Sequence, residues 1–222
     1  MRITTLLACL TVGLATYGQP VGETARSMQR QGMVDVQALD STIKVSLMYA
    51  RSDNFTGEVL YDDLRQAYLH PKAAAALVRA QQRLKELRPD LSLIVFDAAR
   101  PMSIQRKMYN KVKGTPKYFY VSNPANGGGL HNYGMAVDIS LCTLAGDTIA
   151  MGSLVDHMSD LSHIDNEEAL VRAGRMTREA LLNRRLLRDV MKWAGFTALR
   201  TEWWHFNLIS RTTARKYYKV IE

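Results

Sequence analysis

The segment GGLHNYGMAVDIS, residues 128–140, sets His131 just behind a run of glycines and Asp138 seven residues further on. Gly134 permits a turn between them, so the imidazole can fold back towards the carboxylate. Along 136–141, Val137, Ile139 and Leu141 share one face of a strand and Asp138 and Ser140 the other, which keeps Asp138 out of the apolar core. A second cluster, Glu202-Trp203-Trp204-His205, supplies another carboxylate and another imidazole. A strict strand points Glu202 and His205 to opposite faces, so they converge only if Glu202 lies in a turn or a bulge re-aims it.

Two histidines and one carboxylate are an ordinary ligand set for a catalytic zinc with an open fourth position. Zinc lowers the pKa of its water to about 7 and so supplies hydroxide near neutral pH. A nearby carboxylate outside the ligand set can take that proton and pass it to a leaving amine, and Glu202 is the candidate. Charge building on a carbonyl oxygen needs a cation, and Arg100, after an apolar strand, is placed to provide one. Loss of one such donor costs on the order of 3 kcal/mol of transition-state stabilisation. Taken singly, each residue has a plainer reading. His131 reads as a loop histidine, His205 as a core histidine between Trp204 and Phe206, and Arg100 as a structural arginine paired with Asp97. The glycine run is no phosphate loop, because no Lys-Ser/Thr follows it. His70, His157 and His163 read as surface or packing residues.

These residues need elements to hold them. Ile43, Val45 and Leu47 alternate as in a strand, and a polar loop follows over 50–63. Pro71 opens a helix whose apolar stripe, Ala73, Leu77, Ala80, Leu84 and Leu87, runs to Pro89. The run 91–96 reads as a buried strand leading to Asp97 and Arg100. Ser103 can cap a helix carrying Ile104, Met108 and Val112, stopped by Gly114. Thr177 can cap a longer helix with Leu182, Leu186, Val190 and Trp193 on one face, and a hairpin over 196–200 and 203–209 closes the pattern. Helices and strands do not alternate regularly. The expected fold class is therefore α+β, a single domain with a small, mostly antiparallel sheet flanked by helices.

The 222 residues, nearly half of them apolar, can build a sizeable core without disulfides. Residues 1–18 have the layout of a cleaved signal peptide, with Arg2, a short apolar stretch and small residues near Gly18. Residues 19–39 then form a lead-in and 40–222 the domain. The apolar stretch is too short to span a bilayer, so no membrane span is expected after cleavage. The expected location is periplasmic or otherwise exported, with lipid anchoring through Cys9 the lesser alternative. Removal of the signal leaves Cys142 alone, more readily a small buried hydrophobe than a nucleophile. The net charge of +8 is scattered, and its densest group, Arg184-Arg185-Leu186-Leu187-Arg188, reads as the wet face of an amphipathic helix. Nucleic acid is not an expected partner.

In combination these pieces resemble the D-alanyl-D-alanine dipeptidases of the vancomycin-resistance type, zinc peptidases in a fold group shared with D,D-carboxypeptidases and the Hedgehog signalling domain. The resemblance spans about 40–208. It runs through Tyr49-Ala50, Asp53-Asn54-Phe55-Thr56-Gly57, Asp97, Arg100-Pro101, His131, Gly134, Ala136 and Asp138. It continues through Met151-Gly152-Ser153, Asp156, Ser162-His163, Asn183-Arg184-Arg185 and Glu202-Trp203-Trp204-His205. It implies one zinc per chain on His131, Asp138 and His205, Glu202 as general base and acid, and Arg100, oriented by Asp97, as transition-state stabiliser. It also implies that Asp156, with Tyr49 and Glu202 nearby, receives the free ammonium group of a small peptide substrate, D-Ala-D-Ala. A blocked N-terminus would leave that carboxylate unpaired, which is costly. One departure stands out: where the family often has a serine two positions before the first histidine ligand, this chain has Gly129. The alternatives are a D,D- or L,D-carboxypeptidase acting on peptidoglycan stem peptides, a zinc-containing wall-binding module without turnover, and a Cys142 hydrolase.

Overall fold

The structure, a computed structural model, describes residues 21–222. The signal-peptide reading of residues 1–18, Cys9 included, lies outside the described residues. In chain order the elements are α1 (Glu23–Arg30), β1 (Val34–Asp35), α2 (Val36–Leu39), β2 (Lys44–Val45), β3 (Tyr68–Leu69), α3 (Pro71–Leu87), β4 (Leu91–Asp97) and α4 (Met102–Val112). They continue with β5 (Ala136–Thr143), α5 (Glu167–Arg172), α6 (Arg178–Trp193), β6 (Thr197–Leu199), β7 (Glu202–Asn207) and α7 (Arg211–Tyr217).

The main sheet has five strands in the order β2-β4-β5-β7-β6. Only β2 and β4 run parallel, so the sheet is mostly antiparallel as expected. Its central strands are the most apolar, and Leu93, Val95, Val137, Ile139, Leu141 and Phe206 are all shut off from solvent. Helix α3 packs on β4 and on α6, and it starts where Pro71 fixes its first turn. His70 is its N-cap, with the ring Nδ1 accepting from the Lys72 N–H at 3.2 Å. The segment ahead of residue 40 joins the same body. Ala25 and Met28 of α1 are buried, and β1 pairs with β3.

Two irregularities in the sheet arrange the polar residues. Between β4 and β5 the register slips after Val95, so that Asp97 rather than Phe96 faces Asp138. Between β6 and β7, Ala198 pairs with Phe206 but Leu199 with Glu202, so β7 carries extra residues between those positions. That bulge is the device required for Glu202 and His205 to converge.

Four local expectations are corrected. Residues 43–47 form only a two-residue ladder, because Leu47 leads into a 3-10 turn, Met48–Ala50, that carries Tyr49. The cap of α4 is Pro101, not Ser103, which falls inside the helix. The buried face of α6 is Ala180, Leu181, Arg184, Leu187, Val190 and Met191, whereas Leu182 and Trp193 are 55% and 58% exposed. Arg184 is therefore not on a wet face. Its Nε donates to the Met151 carbonyl at 2.6 Å and its Nη2 to the Leu161 carbonyl at 2.9 Å, and Glu167 lies 3.6 Å from Nη1. By its spacing alone an arginine among leucines reads as solvated, and only the tertiary partners reveal it as a buried tie.

Candidate active site

His131, Asp138 and His205 reach one point from three directions. His131 lies in the 3-10 turn Leu130–Tyr133, which Gly134 closes at φ 64°. A Cβ on Gly134 would stand 2.7 Å from both the His70 amide nitrogen and the Met33 sulfur, so the turn needs glycine for space as well as for conformation. Asp138 and His205 are direct partners across β5 and β7 and so share one face of the sheet. His205 Nδ1 lies 2.9 Å from Asp138 Oδ1, and His131 Nε2 lies 3.4 Å from Asp138 Oδ2. The two imidazole nitrogens are 3.2 Å apart.

The outer nitrogens decide what sits between the inner ones. His131 Nδ1 is 2.7 Å from the Ala98 carbonyl, and His205 Nε2 is 2.9 Å from the Asn207 amide oxygen. Both contacts are to acceptors, so each ring donates outwards and, in its neutral form, turns a lone pair inwards. Two lone pairs facing each other beside a carboxylate repel unless a cation lies among them. A tetrahedral zinc with bonds near 2.1 Å separates its ligand atoms by about 3.4 Å, close to the 3.2 Å between the imidazole nitrogens and the 3.4 Å from His131 to Asp138. Outer hydrogen bonds of this kind orient metal-binding histidines. The residues fit a zinc-sized divalent ion.

A cavity of about 510 Å³ opens over this cluster and is also lined by Tyr49, Arg100, Asp156 and Glu202. Asp97 is fully buried. Its Oδ1 accepts from the Tyr61 hydroxyl at 2.7 Å, and its Oδ2 accepts from Arg100 Nε at 2.9 Å and from Arg100 Nη2. Gln105 Oε1 takes an Arg100 Nη1 proton at 2.9 Å. Three of the five guanidinium N–H groups are thus engaged, leaving two for the cavity. Burial works most strongly against the charge of Arg100, but Asp97, Tyr49, Tyr61 and Asp138 together outweigh it and hold the guanidinium protonated well above its ordinary range.

Glu202 and Asp156 behave in the opposite way. Glu202, 3.9 Å from His205 Nδ1, is pushed up to about 7, chiefly by burial against a partly offsetting His205. Asp156 accepts from the Tyr49 hydroxyl at 2.5 Å and is also raised to about 7, by burial and then by the negative charge of Asp138. Two carboxyls poised near neutrality in one cavity suit proton transfer and cation recognition. Cys142 is not among the cavity residues. It is fully buried, and burial pushes its thiol up to about 11, so it holds no thiolate at neutral pH.

All eight residues singled out in the sequence meet in this one region. Sequence reasoning missed Tyr61, Gln105 and Asn207. Asn207 carried a local signal, since position i+2 on a strand shares the face of His205. Tyr61 and Gln105 reach the site through tertiary packing and carried none.

A single α+β domain with two tied imidazoles, a carboxylate, a second carboxyl and a fixed arginine in one cavity is built as a metallopeptidase. A family model described as D-Ala-D-Ala dipeptidase, of the M15 peptidases, matches residues 29–222. The D-alanyl-D-alanine dipeptidase of Escherichia coli is 31% identical over 176 residues, covering 79% of this chain and 84% of that protein. That of Streptomyces coelicolor is 32% identical over 190 residues, covering 78% and 89%, and that of Enterococcus faecalis is 28% identical over 194 residues, covering 77% and 88%. The chain belongs to the D-Ala-D-Ala dipeptidase family of M15 peptidases and is a hydrolase.

Proposed function

We propose that this protein is an exported zinc dipeptidase that hydrolyses free D-Ala-D-Ala, with the metal on His131, Asp138 and His205. The observation that carries the reading is the pair of inner ring nitrogens 3.2 Å apart beside Asp138, with the outer nitrogens against the Ala98 carbonyl and the Asn207 amide oxygen. Zinc bound there supplies Lewis acidity that makes water acidic enough to attack near neutral pH. Glu202 takes the proton of the attacking water and returns it to the amine nitrogen as the peptide C–N bond breaks. The two unengaged N–H groups of Arg100 meet the negative charge that develops on the carbonyl oxygen, and Asp97 with Tyr61 fixes their direction. Asp156, aimed by Tyr49, pairs with the substrate ammonium, which favours a free dipeptide over a blocked or longer peptide. The apolar N-terminal stretch supports export and, with it, a role in salvage or turnover of wall-derived dipeptide.

Metal analysis combined with a Glu202→Gln variant tests the chemistry. The purified chain is expected to carry one zinc, and the variant to keep that zinc while kcat falls on the order of 10²- to 10⁴-fold. Full turnover in the variant would remove Glu202 from its role.

A further inference from the structure

We infer that Ser122 and Arg211 form the subsite for the C-terminal carboxylate of the substrate, with the Ser122 hydroxyl standing where a side chain on residue 129 would stand. This rests on the dipeptidase reading above. The backbone at Gly129 is extended, at φ −106° and ψ −176°, so nothing in its conformation calls for glycine. Space does. A Cβ there would meet Ser122 Oγ at 2.8 Å and Ser122 Cβ at 3.2 Å. Hydroxyls on 122 and 129 compete for one place, and in this chain Ser122 holds it.

Ser122 is wired to the site already described. Its carbonyl accepts from Gln105 Nε2 at 2.7 Å, and the same Gln105 holds Arg100 through Oε1. Its Oγ accepts from Arg211 Nη2 at 3.0 Å, which leaves the hydroxyl proton to be donated into the cavity.

The charges lining the cavity indicate what that donor meets. Its acidic groups are Asp138, Asp156 and Glu202, and its basic ones are Arg100 and Arg211. Arg100 is bound to Asp97, whereas Arg211 forms no ion pair among the described residues. A dipeptide zwitterion brings an ammonium, which Asp156 receives, and a carboxylate, which needs its own donors. Arg211 with the Ser122 hydroxyl supplies a cation and a neutral donor side by side, a pairing suited to a carboxylate.

The test compares D-Ala-D-Ala with its C-terminal amide on zinc-loaded wild-type enzyme, Ser122→Gly, Gly129→Ser, the double swap and Arg211→Gln, with circular dichroism confirming that each variant folds. Wild type is expected to prefer the acid. Arg211→Gln and Ser122→Gly should raise KM for the acid on the order of tenfold or more, change kcat less, and narrow the acid-to-amide ratio of kcat/KM. Gly129→Ser alone should do the same by displacing Ser122, and the double swap should recover most of the loss. An acid-to-amide ratio in Arg211→Gln equal to wild type, or a double swap no better than Gly129→Ser, would overturn the subsite and leave the dipeptidase standing. Wild-type enzyme that cleaves neither compound would overturn both.

Discussion

Asp156 sits at φ 60°, in the left-handed region that side chains other than glycine seldom enter, with its carboxyl against the Tyr49 hydroxyl. The fold holds this group uncharged up to about pH 7, while the ammonium it is proposed to receive needs it charged. Affinity for the dipeptide should therefore fall as pH drops through about 7. Above about 8 the substrate amine loses its own proton, so kcat/KM is expected to peak narrowly between these limits. In Asp156→Asn, KM should rise and the preference for free over N-acetylated dipeptide should shrink. Stability carries the opposite sign. A carboxyl raised in the folded state contributes fully below its unfolded value near 3.8 and loses that contribution as pH climbs through about 7. Thermal melts should show Asp156→Asn gaining on wild type between pH 4 and pH 7. A gap that stays constant with pH would mean the carboxyl titrates normally.

At the scale of elements, β5 and β7 put Asp138 opposite His205, and the two register slips bring Asp97 and Glu202 alongside. The turn at Gly134 adds His131. Gly134→Ala is expected to cost more than about 1 kcal/mol in denaturant unfolding and to weaken metal retention, since the new methyl meets the His70 backbone. Asn207→Leu should leave the fold intact and loosen zinc by about 10- to 100-fold in competition with a chromophoric chelator. Much of this layout was legible in the sequence. The alternation around Asp138 fixed its face, the strand at 91–96 led to Arg100, and the conflict between Glu202 and His205 called for a bulge. The hidden part was non-local. Along α6, Leu182, Leu186, Val190 and Trp193 make a plausible stripe, while the real one includes a buried arginine whose partners come from other parts of the chain.

For the whole molecule, Arg184 links α6 to the 151–162 region that carries Asp156. Besides its bonds to the Met151 and Leu161 carbonyls it reaches Ser153 Oγ, which also accepts from the Trp203 indole at 2.9 Å. Arg184→Ala leaves Glu167, among the described residues, with only Arg188 as a close cation and should destabilise by about 3–5 kcal/mol in urea unfolding. A loss under about 1 kcal/mol would show that the tie is dispensable. The proposed zinc would bind only the assembled site, so chelation should lower the melting temperature as well as abolish activity. Among the described residues no helix is long and apolar enough to cross a membrane.

The most direct test is amine release from D-Ala-D-Ala by protein lacking residues 1–18, beside L-Ala-L-Ala, N-acetyl-D-Ala-D-Ala and a chelator control. The account predicts chelator-sensitive cleavage of the free D,D-dipeptide and little of the other two. Cleavage of the blocked peptide at an equal or higher rate would contradict it, and would assign the cavity to intact wall peptides instead.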